Sequence, residues 1–153
     1  MALNAPLPMP DGSKRRLRMW LSLLKATKKV ENEVRDRLRR EFDTTLPRFD
    51  VMAMLEKSDQ GLKMSELSSQ LMVSNGNVTG IVDRLVADGL VIRVSIKGDR
   101  RATLVRLTPK GEAAFGDMAK VHERWIAELL AGINDVEIGR VITSLAKVKD
   151  NRE

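Results

Sequence analysis

Asparagine, glycine and threonine recur along the stretch NGNVTG, residues 75–80. Asparagine amides can pair with the edge of adenine, and threonine hydroxyls can bond to bases or phosphates. Gly76 and Gly80 would lie on one face of a helix, where each glycine costs about 1 kcal/mol relative to alanine. Close approach by another molecule would justify that cost. The stretch therefore indicates either a helix face that contacts a nucleic acid or a loosely formed helix start, and by itself leaves both interpretations open.

A second polar cluster, KGDRR at residues 97–101, separates two runs of alternating apolar residues. The runs at 90–96 and 102–107 predict the two strands of a hairpin, with residues 97–101 as its turn. Three cations at such a tip favour the strong negative potential of a narrow minor groove. Asp99 would weaken a purely electrostatic patch, so we expect it to orient one arginine through a charge-assisted hydrogen bond.

The helix that carries the first cluster is predicted from Asn75 to about Asp88, because one of its faces is apolar at helical spacing. Gly89 then ends the helix. A preceding helix is predicted from Met64 to Val73, with Ser65 as its N-cap, and Ser74 is the expected cap of the next helix. Two short helices, a tight turn and a hairpin with a basic tip are the pattern of a winged helix-turn-helix. The apolar positions of the second helix are Val78, Ile81, Val82 and Leu85.

Long helical segments flank this region. Residues 1–13 hold three alternating prolines and predict a disordered or extended arm, with Ser13 as the N-cap of a helix that reaches about Phe42. Thr45 before Leu46-Pro47 predicts the start of another helix, and Thr108-Pro109 and Asp135 begin two more. The rest of a 153-residue domain cannot cover so long a first helix, so we expect a second copy of the chain to pack on it.

Composition sets further bounds. The chain is 42% hydrophobic and carries a formal net charge of +6, which favours a polyanionic partner. It has no cysteine and a single histidine, so a disulfide, a cysteine-based sensor and a His/Cys zinc site are excluded. We find no phosphate-binding glycine loop and no catalytic constellation, and we expect neither enzyme activity, cofactor nor metal. No apolar run approaches membrane-spanning length and no secretory signal is evident, so a cytoplasmic protein is expected.

Three segments together resemble the MarR family of winged helix-turn-helix transcriptional regulators: LPRFDVMAML, VTGIVDRLVADGLVIR and GDRRATLVRLTPKG. The resemblance extends over nearly the whole chain from about Lys14. It implies a mainly α fold with a small β-hairpin wing (α+β), in which residues 14–43 and 109–153 form dimerisation helices and residues 46–108 form the winged region. It also implies a homodimeric repressor that binds a pseudo-palindromic DNA operator and releases it when a small ligand arrives.

The resemblance assigns site residues position by position. The start of the second helix is expected to face the major groove and the wing the minor groove, with Arg101 as our choice for the inserted arginine. Arg84 is expected to support Asp99 or a phosphate rather than to read bases. With Gly80 and Lys97 added from the patterns above, the predicted DNA-binding residues are Ser74, Asn75, Gly76, Asn77, Thr79, Gly80, Arg84, Lys97, Asp99, Arg100 and Arg101.

The family's effector pocket is expected where the long helices meet the winged region, and the effector class is an aromatic acid or, given the many cations of the first helix, its CoA thioester. Arg16, Trp20, Met52, Met118 and His122 are candidates to line it, although each also fits ordinary packing. The alternative from another functional class is a winged-helix dimer that binds DNA without sequence preference or serves protein interaction.

Overall fold

The computed structural model describes residues 8–71 and 75–150, apart from the side chains of Asn75, Arg100 and Arg101. Helices predominate, and a small antiparallel sheet lies near the middle of the chain. The elements in order are α1 (Ser13–Phe42), α2 (Leu46–Glu56), β1 (Leu62–Lys63), α3 (Met64–Leu71), α4 (Asn75–Ala87), β2 (Val91–Ile96), β3 (Asp99–Leu107), α5 (Pro109–Leu129) and α6 (Asp135–Leu145). This agrees with the predicted mainly α fold with a wing.

α1 is a 30-residue helix and is therefore roughly 45 Å long. Only its C-terminal part enters the core, where Val34 and Leu38 are buried. The predicted N-cap at Ser13 is wrong: Gly12 occupies that position with a φ of 73°, and Ser13 is already the first helical residue. The first half of α1 projects beyond the core of the protomer, so its large apolar residues Leu17, Met19, Trp20 and Leu21 are exposed.

The core lies where α2, α3 and α4 meet the end of α1. Thr45 caps α2 as predicted, since its Oγ1 accepts a hydrogen bond from the Arg48 N–H at 3.3 Å. Ser65 is not the N-cap of α3, because the helix begins one residue earlier at Met64. The apolar side chains that these helices bury are Phe49, Val51, Met52 and Leu55 from α2, Leu67 from α3, and Val78, Val82 and Leu85 from α4.

The wing belongs to a three-stranded sheet in the order β1-β3-β2, not to an isolated hairpin. The two-residue β1 pairs with β3 through Leu62 and Lys63, a strand too short to leave a periodic signal in the sequence. The turn between β2 and β3 is shorter than predicted: it contains Lys97 and Gly98, and Gly98 has a φ of 93°. Asp99, Arg100 and Arg101 therefore begin a strand, beside an irregularity in register at Ser95 and Ile96.

The start of α5 is docked closely on the segment that follows α4. The Thr108 side chain caps α5 at the Gly111 N–H and donates to the Gly89 carbonyl at 2.7 Å. A Cβ at Gly111 would lie 1.9 Å from the Leu90 carbonyl oxygen, so only glycine permits this approach. α5 is thereby attached to the winged region at its first turn.

Farther along, α5 packs on α1 through Trp125, whose ring centroid lies 6.1 Å from that of Phe42. The last helix, expected to run from Asp135 to Val148, ends at Leu145 and buries no residue within the protomer. Within residues 8–71 and 75–150, no helix combines the length and apolar character needed to cross a membrane.

Asp50 is a half-buried carboxylate of α2. Burial raises the pKa of Asp50 above its ordinary value, and the negative charge of Glu31 raises it further. Above this raised pKa, the ionised carboxylate makes the folded state less stable. That cost is lost as the pH falls through the folded-state pKa and is absent below the lower pKa of the unfolded chain.

We therefore expect Asp50→Asn to stabilise the protein near neutral pH by less than about 1 kcal/mol, because water still screens half of the side chain. Urea denaturation at a series of pH values provides the measurement. The advantage of the variant should shrink steadily as the pH approaches the ordinary carboxylate range. A gain that stays the same at every pH would show that the Asp50 charge is not its source.

Candidate nucleic-acid interface

α4 has one fully buried face and one open face. Val78 and Val82 are 0% exposed and Leu85 is 1% exposed, as the apolar spacing predicted. The opposite face presents Gly76, Asn77, Thr79, Gly80 and Asp83 to solvent. Burial of the first face fixes the rotation of the helix about its axis, so the second face is held outward as a continuous polar surface.

The two glycines of this face have no structural role within the protomer. Neither has a positive φ, and a Cβ added at Gly76 or Gly80 would meet nothing within 4 Å. The fold would therefore accept a larger residue at either position. Packing within the protomer therefore does not require glycine at Gly76 or Gly80, and the same holds for Gly116 of α5.

An ion pair between Asp83 and Arg93 connects α4 to strand β2 of the wing. Arg93 was not among the predicted site residues, because it lies ten residues from Asp83 across a turn and no helical or strand spacing relates the two. The pair joins the open face of α4 to the sheet at the surface, while the buried contacts of α4 with α2, α3 and β2 fix the orientation of the helix relative to the wing.

Arg84 pairs within its own helix. Its Nε lies 3.3 Å from the Asp88 carboxylate, one turn further on, and both side chains are about half exposed. We expected Arg84 to support Asp99 or a phosphate. Among the described residues, the carboxylate that Arg84 contacts is Asp88 and not Asp99. An exposed i,i+4 pair of this kind is weak, so Arg84 can exchange Asp88 for a phosphate at little cost.

The predicted wing residues Lys97 and Asp99 are exposed at and beside the turn. The side chains of Asn75, Arg100 and Arg101 and the whole of Ser74 lie outside the described part of the protein, so their assignments stay predictions. The backbone does place Arg100 and Arg101 at the start of β3, on the same end of the sheet as Lys97.

The five predicted effector residues do not meet in one place within the protomer. Trp20 lies fourteen residues before Val34, the first buried residue of α1, which corresponds to roughly 21 Å along the helix. Arg16 lies one turn further away, where its guanidinium donates to the Asp11 carbonyl at 2.6 Å. Both are thus remote from the α2–α5 contact that holds Met52 and Met118.

Met52 and Met118 are buried and border a cavity of 290 Å³ between α1, α2, α4 and α5. Three aspartates, Asp43, Asp88 and Asp117, surround the same cavity, which therefore disfavours an anionic ligand. His122 stacks on Phe49 with ring centroids 4.6 Å apart, and burial lowers the pKa of His122 below its ordinary value. In this protomer His122 packs at the edge of the core.

A helix-turn-helix region followed by a short sheet, with an open polar helix face held by a buried one, defines a winged helix-turn-helix module. The family model described as "MarR family" matches residues 44–103. The crystal structure of a MarR family transcriptional regulator from Silicibacter pomeroyi is 33% identical, covers 90% of this chain and 95% of that chain, and superposes with a TM-score of 0.76.

A mutant MarR from E. coli complexed with operator DNA is 25% identical, with a TM-score of 0.77 and coverage of 92% of this chain and 100% of that chain. The HTH-type transcriptional regulator BilQ of Clostridioides difficile (strain CD3) is 26% identical over 92 residues, which are 60% of this chain and 62% of BilQ. The chain thus matches less than two thirds of BilQ. It belongs to the MarR family, and is a DNA-binding transcriptional regulator rather than an enzyme.

The open face of α4 yields a test that needs no DNA. Because Gly80 is helical and its Cβ position is empty, Gly80→Ala should raise the free energy of unfolding by about 0.5–1 kcal/mol. Urea denaturation of the two proteins measures the difference. A loss of stability would mean that the fold itself requires this glycine, and the argument for close approach by a partner would then fail.

Proposed function

We propose that the chain acts in the cytoplasm as a homodimeric repressor, which binds a pseudo-palindromic operator and releases it when a small effector binds. The open face of α4 is the observation that carries this proposal. It offers Asn77 and Thr79 between two glycines that the fold does not need. Asparagine and threonine can contact base edges once the backbone comes close to them, and glycine permits that approach.

The wing complements this surface. Lys97, Asp99, Arg100 and Arg101 follow the end of β2, and we assign them to the adjacent minor groove, with Arg101 inserted. The Asp83–Arg93 pair supports simultaneous contact by helix and wing, because it joins the two elements. The similar fold of the E. coli protein complexed with operator DNA also supports the proposal.

Two exposed apolar surfaces support the homodimer. α6 carries a stripe of exposed apolar residues, in which Ile142 is 64% exposed, and the first half of α1 carries another, in which Trp20 is 54% exposed. Soluble monomers rarely leave contiguous apolar surfaces of this kind open. Paired through these helices, two copies would present two α4 helices for successive major grooves, about one helical turn apart.

Dimerisation can be tested on α6 alone. Ile142→Glu should raise the dimer dissociation constant by at least about tenfold, because a buried isoleucine contributes about 1.5–3 kcal/mol and the new charge would be desolvated. Thr143→Glu is the control, since it adds the same charge on the face of α6 that points away from this stripe. Analytical ultracentrifugation should show the first variant dissociating while the second assembles like the wild type. Equal behaviour of the two variants would remove α6 from the interface.

The effector is proposed only as a class, a small molecule such as an aromatic acid or its thioester. Arg16 and Trp20 are exposed on α1, the helix proposed to contact the second copy, so a pocket that includes them would need both copies. Met52 and Met118 border an acid-lined cavity, and we do not assign the acidic effector there. Release would follow from a shift between dimer conformations with different α4 separations.

Sequence-specific binding can be tested with duplexes selected from a randomised pool and with the promoter adjoining the gene. Gly80→Leu should lower affinity for the selected duplex by more than about tenfold, because a leucine side chain would separate α4 from the base edges. Gly116→Leu on α5 is the matched control, since its Cβ position is equally open. Gel shifts at several salt concentrations provide the measurement. Binding that falls with salt but never prefers a sequence would favour the nonspecific architectural alternative.

A further inference from the structure

A cavity of 540 Å³ lies along one flank of α4, where the end of α1 and the start of α2 approach it. Three arginines line this cavity: Arg35 and Arg39 from the last turns of α1, and Arg48 from the first turn of α2. We call it the arginine niche. No motif in the sequence marks it, because the three cations come from two helices and lie among many others.

The positive charges of the niche are not neutralised by ion pairs among the described residues. Within that part of the chain, Arg35 bonds to the side-chain amide of Asn32, at 3.1 Å, and neither Arg39 nor Arg48 forms a salt bridge. By contrast, Arg37 of the same helix bonds to both a glutamate of α1 and one of α5 at 3.0 Å. The niche therefore favours an anion, and guanidinium groups are well matched to phosphate.

The position of the niche identifies the source of that anion. Asn77 and Gly80 of the open α4 face form one wall of the niche, so the arginines lie beside the surface proposed to enter the major groove. The groove is about 12 Å wide and a helix with its side chains is about 10–12 Å across, so the phosphates of both strands must run along the flanks of an inserted helix.

The remaining lining fits the same partner. Leu46, Pro47 and Ile81 contribute apolar atoms to the niche, which suit the carbons of a deoxyribose. A strand backbone presents sugar and phosphate side by side, which matches a niche lined by both apolar atoms and arginines.

We infer that the arginine niche binds the sugar–phosphate backbone of the DNA strand that borders α4, with Arg39 and Arg48 on a phosphate and Arg35 at its edge. This inference rests on the proposed DNA-binding function and adds a second anchor to it, on the flank formed by α1 and α2. Backbone contacts fix the register and tilt of a helix in the groove without reading bases. The niche thus sets how deeply Asn77 and Thr79 can reach.

The test compares Arg39→Ala and Arg48→Ala with Arg40→Ala. Arg40 is the neighbouring exposed cation of α1 and does not line the niche, so its substitution changes the long-range field without removing the proposed anchor. Affinity for the pool-selected duplex is measured by fluorescence anisotropy over a range of salt. Affinity should fall by about tenfold in each niche variant, and the slope of log K against log salt should become shallower by about 0.9 for each phosphate that is no longer neutralised.

A second measurement places the niche on the DNA. Neutral methylphosphonate linkages are placed one at a time in the selected duplex. Linkages beside the α4 site should weaken binding of the wild type. The same linkages should have little further effect on binding of Arg48→Ala, which has already lost the phosphate contact. The inference is overturned if the niche variants behave like Arg40→Ala. It is also overturned if every linkage weakens binding of the wild type and of Arg48→Ala equally. That result is expected if the niche holds a small free anion and not a DNA phosphate.

Failure of the proposed function gives a different result. A wild-type protein that selects no sequence from the pool would refute specific operator binding, while the salt slopes of the three variants on any duplex would still show whether the niche contacts phosphate. Thermal unfolding of each variant shows whether it folds. Arg39 and Arg40 are exposed and Arg48 is only partly buried, so the three substitutions should leave the midpoint near that of the wild type.

Discussion

Burial of Val78, Val82 and Leu85 is the interaction on which the functional surface depends. α4 packs these side chains against α2, α3 and the sheet, which fixes the helix about its own axis. Each fully buried aliphatic side chain contributes about 1.5–3 kcal/mol, so rotating the helix to expose them would cost more than an exposed polar contact could return. The glycine-rich face is therefore held outward before any partner arrives. The flanking arginine niche takes its position from the same packing, since Asn77 and Gly80 form its wall.

A continuous set of contacts joins this helix to the long helices. The segment after α4 supports the first turn of α5 through Leu90 and Gly111, at a separation that only glycine allows. At its other end, α5 meets α1 through the Phe42–Trp125 contact and the hydrogen bond from Arg37 to Glu128. α4 cannot shift against α5 without breaking the first junction, and α5 cannot shift against α1 without breaking the second. A small change in how α1 and α5 cross would thus reach α4 through packed elements, which are the physical carriers of coupling between sites.

The pairing of the arginines gives the surface its pattern of charge. Arg37, Arg84 and Arg93 each contact a carboxylate, and the pairs of Arg37 with Glu128 and of Arg93 with Asp83 join separate elements. Arg39 and Arg48 face the niche without such partners in the described chain, and they supply the net positive charge beside α4. The cavity near Met52 and Met118 has the opposite character because of its three aspartates. A net charge of +6 is therefore divided into local surfaces of both signs, and their positions matter more for recognition than the total.

Interactions between near neighbours could be predicted from the sequence by itself. Helical spacing predicted the buried face of α4, and Thr45 and Thr108 predicted helix starts, because capping and amphipathicity depend on residues within a turn or two of each other. The pairing of Asp83 with Arg93, the strand β1, the Gly111 junction and the arginine niche were decided only by the tertiary structure. Each of these joins residues from separate elements, and no short spacing records which elements will meet. The same limit explains why the predicted effector residues did not converge, since Trp20 and Met52 looked alike as apolar positions and only packing separated the exposed residue from the buried one.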